Sequence, residues 1–279
     1  MTDSPVAVVT GAASGIGLGL AERFAAEGLH VVMADVEEPA LSKAAAALAE
    51  PGASVLPVVT DVADLSAVEA LRDAALARFG AVHVVCNNAG VGGSHGPLWE
   101  CPPGEWDWVL GVNLNGVMNG VRAFMPTLLS QDTGHLVNTS SIFGAFAGTL
   151  GPYGVSKHAV TALTETLYFN LRSQGIVHVG VSVLCPGAVR TNFGASSRNR
   201  PTWAGPAAPG DDAERASAER FDELAVHGAS PAAVAGMVLD GIRSRRFYIL
   251  TSDNRNGAVL RRGEEIVAGG PPSAPVDFA

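Results

Sequence analysis

A tyrosine and a lysine stand four residues apart, at Tyr153 and Lys157, in a stretch that predicts a helix. Positions i and i+4 share one face of a helix, so the phenol and the ammonium group would lie together. An ordinary tyrosine has a pKa of about 10, and a nearby positive charge lowers that pKa by stabilising the phenolate. The pair therefore predicts an acid or base that exchanges a proton with an alcohol or a carbonyl. Two surface residues without a chemical role fit the same spacing, so other residues must support this interpretation.

Two polar residues upstream strengthen the catalytic interpretation. Ser140 follows a predicted strand and lies 13 residues before Tyr153. At the carboxyl edge of a parallel sheet, its hydroxyl can meet the helix-borne tyrosine and bind the reacting oxygen. Asn113 interrupts an apolar helical stretch and needs a partner there, for which local backbone or water is the simpler explanation. The predicted catalytic residues are Asn113, Ser140, Tyr153 and Lys157.

A glycine-rich turn, Thr10-Gly-Ala-Ala-Ser-Gly-Ile-Gly17, lies between the first predicted strand and the first predicted helix. Gly11 permits the tight turn, Gly15 lets a ligand approach the backbone, and Gly17 lets the helix pack close to the sheet. The free amides at the start of the helix attract phosphate groups. A purely structural turn can have this composition, but its place between strand and helix favours dinucleotide binding. The predicted phosphate-binding residues are Gly11, Ser14, Gly15, Ile16 and Gly17.

An acidic residue, Asp35, ends the second predicted strand, 18 residues after Gly17. A carboxylate there accepts hydrogen bonds from both hydroxyls of an adenosine ribose and repels a 2′-phosphate. The neighbours Val36, Glu37 and Glu38 offer no cation for that phosphate. Asp35 therefore predicts NAD rather than NADP as the cofactor. An acidic cap of the next helix is the alternative, which Glu37 or Glu38 suits better.

These residues need a scaffold, and the order of the apolar segments provides one. Strands are predicted at 6–10, 30–35, 54–60, 82–87, 135–139, 176–184 and 247–250. Helices are predicted at 15–27, 39–50, 65–79, 105–130 and 153–174. Apolar strands that alternate with helices predict a parallel sheet covered on both faces.

Two segments depart from this alternation. Residues 194–212 are rich in Gly, Pro, Ser and Arg and predict a long mobile loop. Residues 269–279 form a Pro/Gly tail for which little order is expected. We expect one domain over residues 1–268, in which residues 192–225 form a lid segment over the substrate, followed by a flexible tail.

Composition excludes several classes of function. The 47% of hydrophobic and 16% of charged residues predict a large buried core. The net charge of −9 disfavours nucleic acid and anionic membranes as partners, and no apolar run approaches the roughly 18 residues of a membrane span. Three scattered cysteines show no metal-binding spacing and no disulfide framework. We therefore expect no bound metal. Because the N-terminus also lacks the pattern of a signal peptide, we expect a cytoplasmic protein.

Together these motifs resemble the short-chain dehydrogenase/reductase superfamily. The resemblance rests on the glycine turn, Asp61-Val62, Asn87-Asn88-Ala89-Gly90, Asn113, Ser140, Tyr153-x-x-x-Lys157 and Pro186-Gly187, in the family's order and spacing over residues 5–191. It implies an α/β fold with a Rossmann-type doubly wound parallel sheet of seven strands, in the order 3-2-1-4-5-6-7. It also implies transfer of a hydride between NAD(H) and a secondary alcohol or ketone.

The resemblance implies roles for further residues. It implies that Lys157 also holds the nicotinamide ribose, that Asn113 anchors a water relaying protons to Lys157, and that Asn88 braces the central strand. The cofactor-lining residues that it implies are Asp61 and Val62 at the adenine, Asn87, Ala89 and Gly90 after the fourth strand, and Pro186, Gly187, Val189 and Thr191 beside the nicotinamide.

A narrower resemblance concerns the substrate. Residues 107–120, 151–153 and 192–201 are similar to the family's dehydrogenases that oxidise the benzylic Cα alcohol of lignin-derived aryl ethers. The predicted pocket consists of Ser140, Ile142, Phe143, Phe146, Leu150, Phe193 and Trp203, with Arg198 and Arg200 at its rim. These apolar side chains predict a bulky, aromatic secondary alcohol in preference to short polyols, unless they only pack the lid segment against the core.

Two other functions and one assembly remain to be considered. A 3-oxoacyl-carrier-protein reductase is disfavoured by Asp35 and the acidic surface, because such enzymes usually prefer NADPH and dock an acidic carrier. A regulator that senses NAD without chemistry is disfavoured by the intact catalytic set. The stretches 113–130 and 153–174 carry apolar residues on more than one face, which predicts that a partner covers them. The family resemblance implies that these helices pair across two-fold axes in a homodimer or homotetramer.

Overall fold

The computed structural model describes residues 4–49, 53–93, 97–148, 150–206, 223, 225–251 and 256–273. Within these ranges the strands are β1 (Val6–Thr10), β2 (His30–Asp35), β3 (Val55–Val59), β4 (Val84–Asn87), β5 (Gly134–Thr139), β6 (Val179–Cys185) and β7 (Tyr248–Leu250). They form one parallel sheet in the order β3-β2-β1-β4-β5-β6-β7. The predicted fold class and strand order are confirmed.

Helices cover both faces of the sheet. Those in the part of the chain that the structure describes are α1 (Gly15–Ala26), α2 (Glu38–Ala49), α3 (Leu65–Phe79), α4 (Pro103–Leu110), α5 (Gly116–Leu129), α6 (Gly151–Ser173), α7 (Pro231–Arg243) and α8 (Asn256–Ala268). One core contains side chains of α1, α2 and α7, and a second core contains side chains of α3, α5 and α6. Alternate residues of β1 enter the two cores, which explains why this strand is apolar throughout.

The strand order reverses beside β1, and this reversal places the site. The chain runs outward from β1 to β2 and β3, and then returns to β4 on the other side of β1. The connections that leave the carboxyl ends of β1 and β4 therefore diverge to opposite sides. In open α/β sheets a crevice forms at this point and receives the ligand.

The helical region predicted over 105–130 is not continuous. Helix α4 ends at Leu110, Gly111–Asn115 form a turn of π-helix, and α5 begins at Gly116. The wider π turn carries Asn113, whose side chain is fully buried. Such turns are rare and frequently occur at functional sites.

The loop after β6 is more ordered than expected. Phe193–Asn199 and Thr202–Ala204 form short 3₁₀-helices, so this part of 194–212 is not the irregular loop that the sequence predicts, and its mobility stays a prediction. Residues 207–222 and 224 of the predicted lid segment lie outside the described residues, as do residues 274–279 of the predicted tail. For these residues the expectations stay predictions.

Two further expectations concern membrane-spanning helices and metal-binding groups. No helix within the described ranges is both long and apolar enough to cross a bilayer. The same residues contain no group of three or more His, Cys, Asp or Glu side chains that could hold a metal ion.

Candidate active site

A cleft of about 430 Å³ opens at the carboxyl edge of the sheet. Residues that follow each of the strands β1 to β6 line it, as expected for a crevice at the reversal of strand order. The predicted cofactor residues that line it are Gly11, Ser14, Gly15, Ile16, Asp35, Asp61, Val62, Ala89, Gly90, Tyr153, Lys157, Pro186, Gly187, Val189 and Thr191. Two predicted cofactor residues, Gly17 and Asn87, are not part of the lining.

The glycine turn after β1 needs glycine for conformation and for space. Gly11 has a φ of +66°, and a Cβ there would lie 2.9 Å from the Cα of Ala89. Gly15 has a φ of +55° and would place a Cβ 3.0 Å from the side chain of Thr191. A side chain at either position would be strained and would narrow the cleft. Ser14 caps α1 without a side-chain hydrogen bond to it, so the first amides of α1 remain available to an anion.

Gly17 serves packing rather than binding. A Cβ at this position would lie 2.0 Å from the carbonyl oxygen of Gly11. Only glycine lets α1 approach the turn this closely, as the sequence predicted for its packing role. The additional expectation that Gly17 contacts the cofactor is corrected, because the residue lies behind the turn.

Two neighbouring asparagines lie at the carboxyl end of β4, Asn87 as its last residue and Asn88 directly after it. Asn87 donates from Nδ2 to Oδ1 of Asn138 over 2.9 Å, and a Cβ at Gly120 would lie 1.9 Å from its Oδ1. Its side chain therefore points into the core against α5, and the expected contact with the cofactor is wrong. Asn88 lines the cleft instead.

Asn88 holds three strands together at the cleft. Its backbone N–H donates to Oγ1 of Thr10 over 2.9 Å, and its Nδ2 donates to the Thr10 carbonyl over 3.0 Å. The hydroxyl of Thr139, at the end of β5, donates to Oδ1 of Asn88 over 3.3 Å. The predicted bracing role of Asn88 is confirmed.

Asp35 lies at the end of β2 with both carboxylate oxygens oriented by the backbone. Its Oδ2 accepts from the N–H of Ala13 over 2.9 Å, and its Oδ1 accepts from the N–H of Glu37 over 3.1 Å. These bonds fix the carboxylate on the wall of the cleft. Each carboxylate oxygen has further lone pairs, so the group can still accept bonds from a ligand.

A cation that local sequence does not reveal lies beside Asp35. Arg198, in the turn Phe193–Asn199, donates to the Glu37 carboxylate, with its closest N–O distance at 2.6 Å. Asn199 donates to the same carboxylate over 2.9 Å. The Arg198 guanidinium lowers the pKa of Glu37, and the Glu37 carboxylate in turn raises the pKa of Arg198. Because 161 residues separate the partners, only the fold could bring them together.

Tyr153 and Lys157 share the buried face of α6 near its N-terminus. Lys157 is 3% exposed, and its Nζ donates to the carbonyl oxygen of Thr139 over 2.9 Å. The same Nζ lies 5.7 Å from the centre of the Tyr153 ring. Both side chains line the cleft, so the predicted pairing on one helix face is confirmed.

The pKa values of this pair are governed by burial. Loss of solvent raises the pKa of Tyr153 to about 12, although an interaction with the Ser141 hydroxyl opposes the rise. Burial lowers the pKa of Lys157 to about 8. Lys157 and the N-terminus of α6 therefore do not by themselves bring the Tyr153 pKa below its ordinary value, and the expected contribution of the nicotinamide charge stays a prediction. A further positive charge in the cleft would have to favour the phenolate.

Two adjacent serines follow β5 and line the cleft, and only Ser140 was predicted to be catalytic. The Ser140 hydroxyl donates to the Lys157 carbonyl over 2.7 Å and lies 2.8 Å from Oγ1 of Thr161, so it faces α6. The Ser141 hydroxyl interacts with the phenol of Tyr153 and accepts from the N–H of Phe143 over 3.2 Å. The structure thus corrects the prediction that Ser140 meets Tyr153 and assigns that position to Ser141.

Asn113 is a positioning residue in the π turn. Its Oδ1 accepts from the N–H of Val91 over 2.8 Å, and its Nδ2 donates to the Val91 carbonyl over 2.9 Å. Nδ2 also donates to Oγ of Ser156 over 3.1 Å, which connects the π turn to α6. These contacts hold the loop after β4 against the helix that carries Tyr153. The water relay that the family resemblance implies stays a prediction.

The substrate side of the cleft is apolar, with two corrections to the predicted wall. Ile142, Phe143, Phe193 and Trp203 line the cleft as expected. Phe146 lies behind Phe143, at 5.4 Å between ring centres, and does not reach the cleft. A smaller neighbouring cavity, outside the main cleft, contains Leu150.

Arg200 does not remain at the rim. It is paired with the buried carboxylate of Glu105 and lies 5.3 Å from the centre of the Trp108 ring. Its guanidinium also donates to the carbonyl oxygen of Gly205 over 2.6 Å. The expected solvent position of Arg200 is wrong, because this residue anchors the lid segment to α4. Arg198 lies nearer the surface but is bound to Glu37.

Comparison with known proteins agrees with this geometry. A family profile described as short chain dehydrogenase matches residues 5–202, which is well over half of the chain. The chain belongs to this family. This short-chain dehydrogenase is therefore an oxidoreductase, with its family motifs gathered at one cleft.

Individual relatives match this dehydrogenase in sequence over most of its length. The 1-deoxy-11-beta-hydroxypentalenate dehydrogenase of Streptomyces exfoliatus is 41% identical over 89% of this chain and 83% of its own. A C alpha-dehydrogenase of Sphingobium is 36% identical over 88% of this chain and 79% of its own. The crystal structure of a short chain dehydrogenase/reductase from Burkholderia phymatum in complex with NAD has a TM-score of 0.95 and 42% identity, and the match covers 99% of both chains.

The assignment of the two serines can be tested by exchanging each for alanine. We expect Ser141→Ala to lower kcat of the dehydrogenase by about 100-fold, the low end of what such catalytic groups contribute. Ser140→Ala is the matched control and should retain kcat within about fivefold, because its hydroxyl bonds to Lys157 backbone and Thr161. Thermal unfolding of both variants would separate lost folding from lost chemistry. A larger loss of kcat in Ser140→Ala, with folding intact, would restore the original prediction.

Proposed function

We propose that this short-chain dehydrogenase uses NAD(H) to interconvert a bulky, apolar secondary alcohol and its ketone. The observation that carries the proposal is the juxtaposition of Asp35 and Tyr153 on the walls of one cleft. Asp35 is suited to bind a ribose diol, and Tyr153 is suited to exchange a proton with the substrate.

The residues of the cleft fit NAD. The glycine turn and the free amides of α1 suit a pyrophosphate, and Asp35 suits an unmodified adenosine ribose. Asp61, Val62, Pro186, Gly187, Val189 and Thr191 all line the cleft. We assign the first two to the adenine and the other four to the nicotinamide, as the family resemblance implies. The similarity to the NAD complex of the Burkholderia phymatum protein supports the same choice. Arg198 remains bound to Glu37, which leaves Asp35 to repel a 2′-phosphate.

The catalytic side chains divide the proton chemistry among them. When bound, NAD⁺ supplies the hydride acceptor and a positive charge near the phenol. Ser141 holds the reacting oxygen beside Tyr153, whose phenolate takes the hydroxyl proton of the alcohol. Lys157 stabilises that phenolate electrostatically and is itself held by the Thr139 carbonyl. In the reverse direction the Tyr153 hydroxyl returns the proton to the carbonyl oxygen.

The apolar wall supports a bulky substrate. Ile142 and Phe143 are nearly fully buried and follow Ser141, while Trp203, which is 64% exposed, lines the same cleft. Burial of one aromatic ring contributes roughly 1.5–3 kcal/mol, which a small polyol cannot provide. The relatives named as hydroxypentalenate and C alpha dehydrogenases are consistent with this class.

A panel of alcohols and ketones tests the proposal directly. We would compare 1-arylethanols and larger aryl carbinols with glycerol and sugars, with NAD and then NADP, by following NADH absorbance. We expect higher kcat/KM for the aryl carbinols with NAD. Higher efficiency on polyols would contradict the apolar pocket, and preference for 3-oxoacyl thioesters with NADPH would favour a carrier-protein reductase. NADH binding without turnover of any substrate would favour an NAD-sensing regulator.

We further propose that the dehydrogenase forms a homodimer or homotetramer through α5 and α6. Leu129, Val155 and Phe169 on these helices are large apolar residues that are 38%, 45% and 67% exposed. Exposed apolar faces of this kind mark association surfaces. Light scattering is expected to report at least a dimer at micromolar concentration, and Phe169→Glu should weaken it. Val59→Glu, at an isolated, 53% exposed position on the edge strand β3, is the control and should leave the mass unchanged. A monomer in the wild type would contradict the proposal.

A reducing cytosol is the location we propose. The thiols of Cys86 on β4 and Cys185 on β6 are buried and form no disulfide, which suits a reducing compartment. Cell fractionation with the substrate assay would test it, and recovery of the activity outside the cytosol would contradict it.

A further inference from the structure

A second, smaller cavity adjoins the reacting group. It has a volume of about 50 Å³ and is lined by Gly92, Gly93, Leu150 and residues of the turn Phe193–Asn199. Tyr153 and Phe193 line both this side cavity and the main cleft. Tyr153, on which the proposed proton transfer depends, is therefore a wall of both spaces.

Phe193 separates the two spaces. Its ring centre lies 5.4 Å from that of Tyr153, and the ring planes are tilted by 59°. On its other side, a Cβ at Gly92 would lie 3.3 Å from the Phe193 ring. The N–H of Gly92 donates to Oγ of Ser196 over 2.9 Å, which ties the loop after β4 to the turn that carries Phe193. The Phe193 ring is thus held between Tyr153 on one side and the backbone of Gly92 on the other.

We propose that the side cavity receives the smaller substituent of the carbinol carbon and that Phe193 sets its size limit. This inference rests on the proposed function. A secondary alcohol carries an oxygen, a hydrogen and two carbon substituents on the reacting carbon. Tyr153 and Ser141 fix the oxygen, and the hydrogen must face the nicotinamide side of the main cleft. The two carbon substituents then need two separate spaces beside Tyr153.

The two volumes decide which substituent goes where. The main cleft offers about 430 Å³ and also holds the cofactor, whereas the side cavity offers about 50 Å³. A water-sized probe needs roughly 10–15 Å³, so the side cavity accepts a methyl or ethyl group and excludes an aromatic ring. An alcohol with one large and one small substituent therefore fits in one enantiomeric form. An alcohol with two aryl substituents fits in neither orientation.

The experiment compares the two enantiomers of 1-phenylethanol, and then diphenylmethanol, with NAD. We expect kcat/KM of the wild type to differ by at least about 20-fold between enantiomers, and diphenylmethanol to be a poor substrate. Phe193→Ala merges the two spaces and should reduce the ratio below about fivefold while improving diphenylmethanol. Trp203→Ala is the matched control, because Trp203 lines only the main cleft. It should raise KM for both enantiomers without changing their ratio.

A second variant narrows the cavity instead. Gly92 does not have a positive φ, so alanine fits its backbone, and the added methyl would approach the Phe193 ring. We expect Gly92→Ala to retain 1-phenylethanol but to lose at least about tenfold on 1-phenylpropanol, which carries an ethyl group. Phe193→Leu, which keeps most of the bulk, replaces Phe193→Ala if that variant does not fold, and it should give an intermediate ratio.

The outcomes separate this inference from the function on which it rests. Equal kcat/KM for the two enantiomers in the wild type, or an unchanged ratio in a folded Phe193→Ala, would overturn the side cavity as a substituent site while the dehydrogenase function stands. Absence of turnover with every alcohol and ketone would overturn the proposed function and this inference together.

Discussion

Replacement of Tyr153 by phenylalanine is expected to lower turnover by at least about 100-fold while NADH binding is retained. The substitution removes only the hydroxyl, so the ring still packs against Phe193 and next to Lys157. Without the hydroxyl no group at this position can take the proton from the alcohol. Steady-state kinetics with an aryl carbinol and NADH fluorescence titration would measure the two quantities. Turnover within a factor of two of wild type would end the proposed mechanism.

The pH profile and a second tyrosine provide controls. Burial raises the pKa of Tyr153 to about 12, so its base form is scarce at neutral pH and increases as the pH rises. Alcohol oxidation by the wild type should therefore accelerate from pH 6 towards pH 8. Above that, Lys157, with a pKa of about 8, loses the charge that supports the phenolate. Tyr168→Phe, on the same helix but packed against Phe247, should keep both the rate and this profile.

Replacement of Asp35 by alanine is expected to reduce the preference for NAD over NADP by about 30-fold. A phosphate monoester carries nearly two negative charges, and its repulsion by a carboxylate about 4 Å away in a water-like medium is about 2 kcal/mol. That energy corresponds to a factor of about 30. The measurement is the ratio of kcat/KM with the two cofactors on one substrate.

Two variants sharpen this experiment. Glu38→Ala removes a nearby carboxylate at the start of α2 and should leave the cofactor ratio within about threefold. Arg198→Ala in the Asp35→Ala background should cancel part of the gain with NADP, because Arg198 is the cation that the fold brings to this end of the cleft. Equal use of NADP and NAD by the wild type would refute the interpretation of Asp35.

The fold follows closely from the sequence because its signals are local. The predicted bounds of β1 and β2 agree with the structure, since each is an apolar run that ends at a turn or charged residue. Helix α3 also agrees: Asp64 caps its first turn by accepting from the N–H of Ser66, and Gly80 ends it with a φ of +79°. Such terminal signals are readable without tertiary information.

The sequence did not predict the parts of the site that depend on which way a side chain points or on partners that are far apart in the chain. Ser140 and Ser141 have the same side chain, and a shift of one residue after a strand reverses the side to which a hydroxyl points. The same ambiguity explains why the lining of the cleft was predicted for Asn87, whereas Asn88 lines it in addition to its bracing role. A π turn adds one residue to a helical repeat, which the apolar periodicity of 105–130 does not resolve.

Ion pairs between residues far apart in the sequence also could not be predicted from local sequence patterns. Arg200 in a polar loop looks like a solvated residue, and only the fold reveals Glu105 as its buried partner. Glu105 itself was a usable signal, because a carboxylate that is 0% exposed needs a cation or several donors. Its place at the start of an apolar helix could have raised that question from sequence.

Gly120, on the face of α5 that meets β4, has a consequence for how this chain can vary. Even a methyl group there would overlap the Asn87 side chain, which holds Asn138 and, through it, Thr164 of α6. A larger residue at position 120 alone should therefore destabilise the fold, whereas a smaller residue at position 87 would make room for the added side chain. Among related sequences, positions 87 and 120 are therefore expected to covary, although Gly120 does not line the cleft.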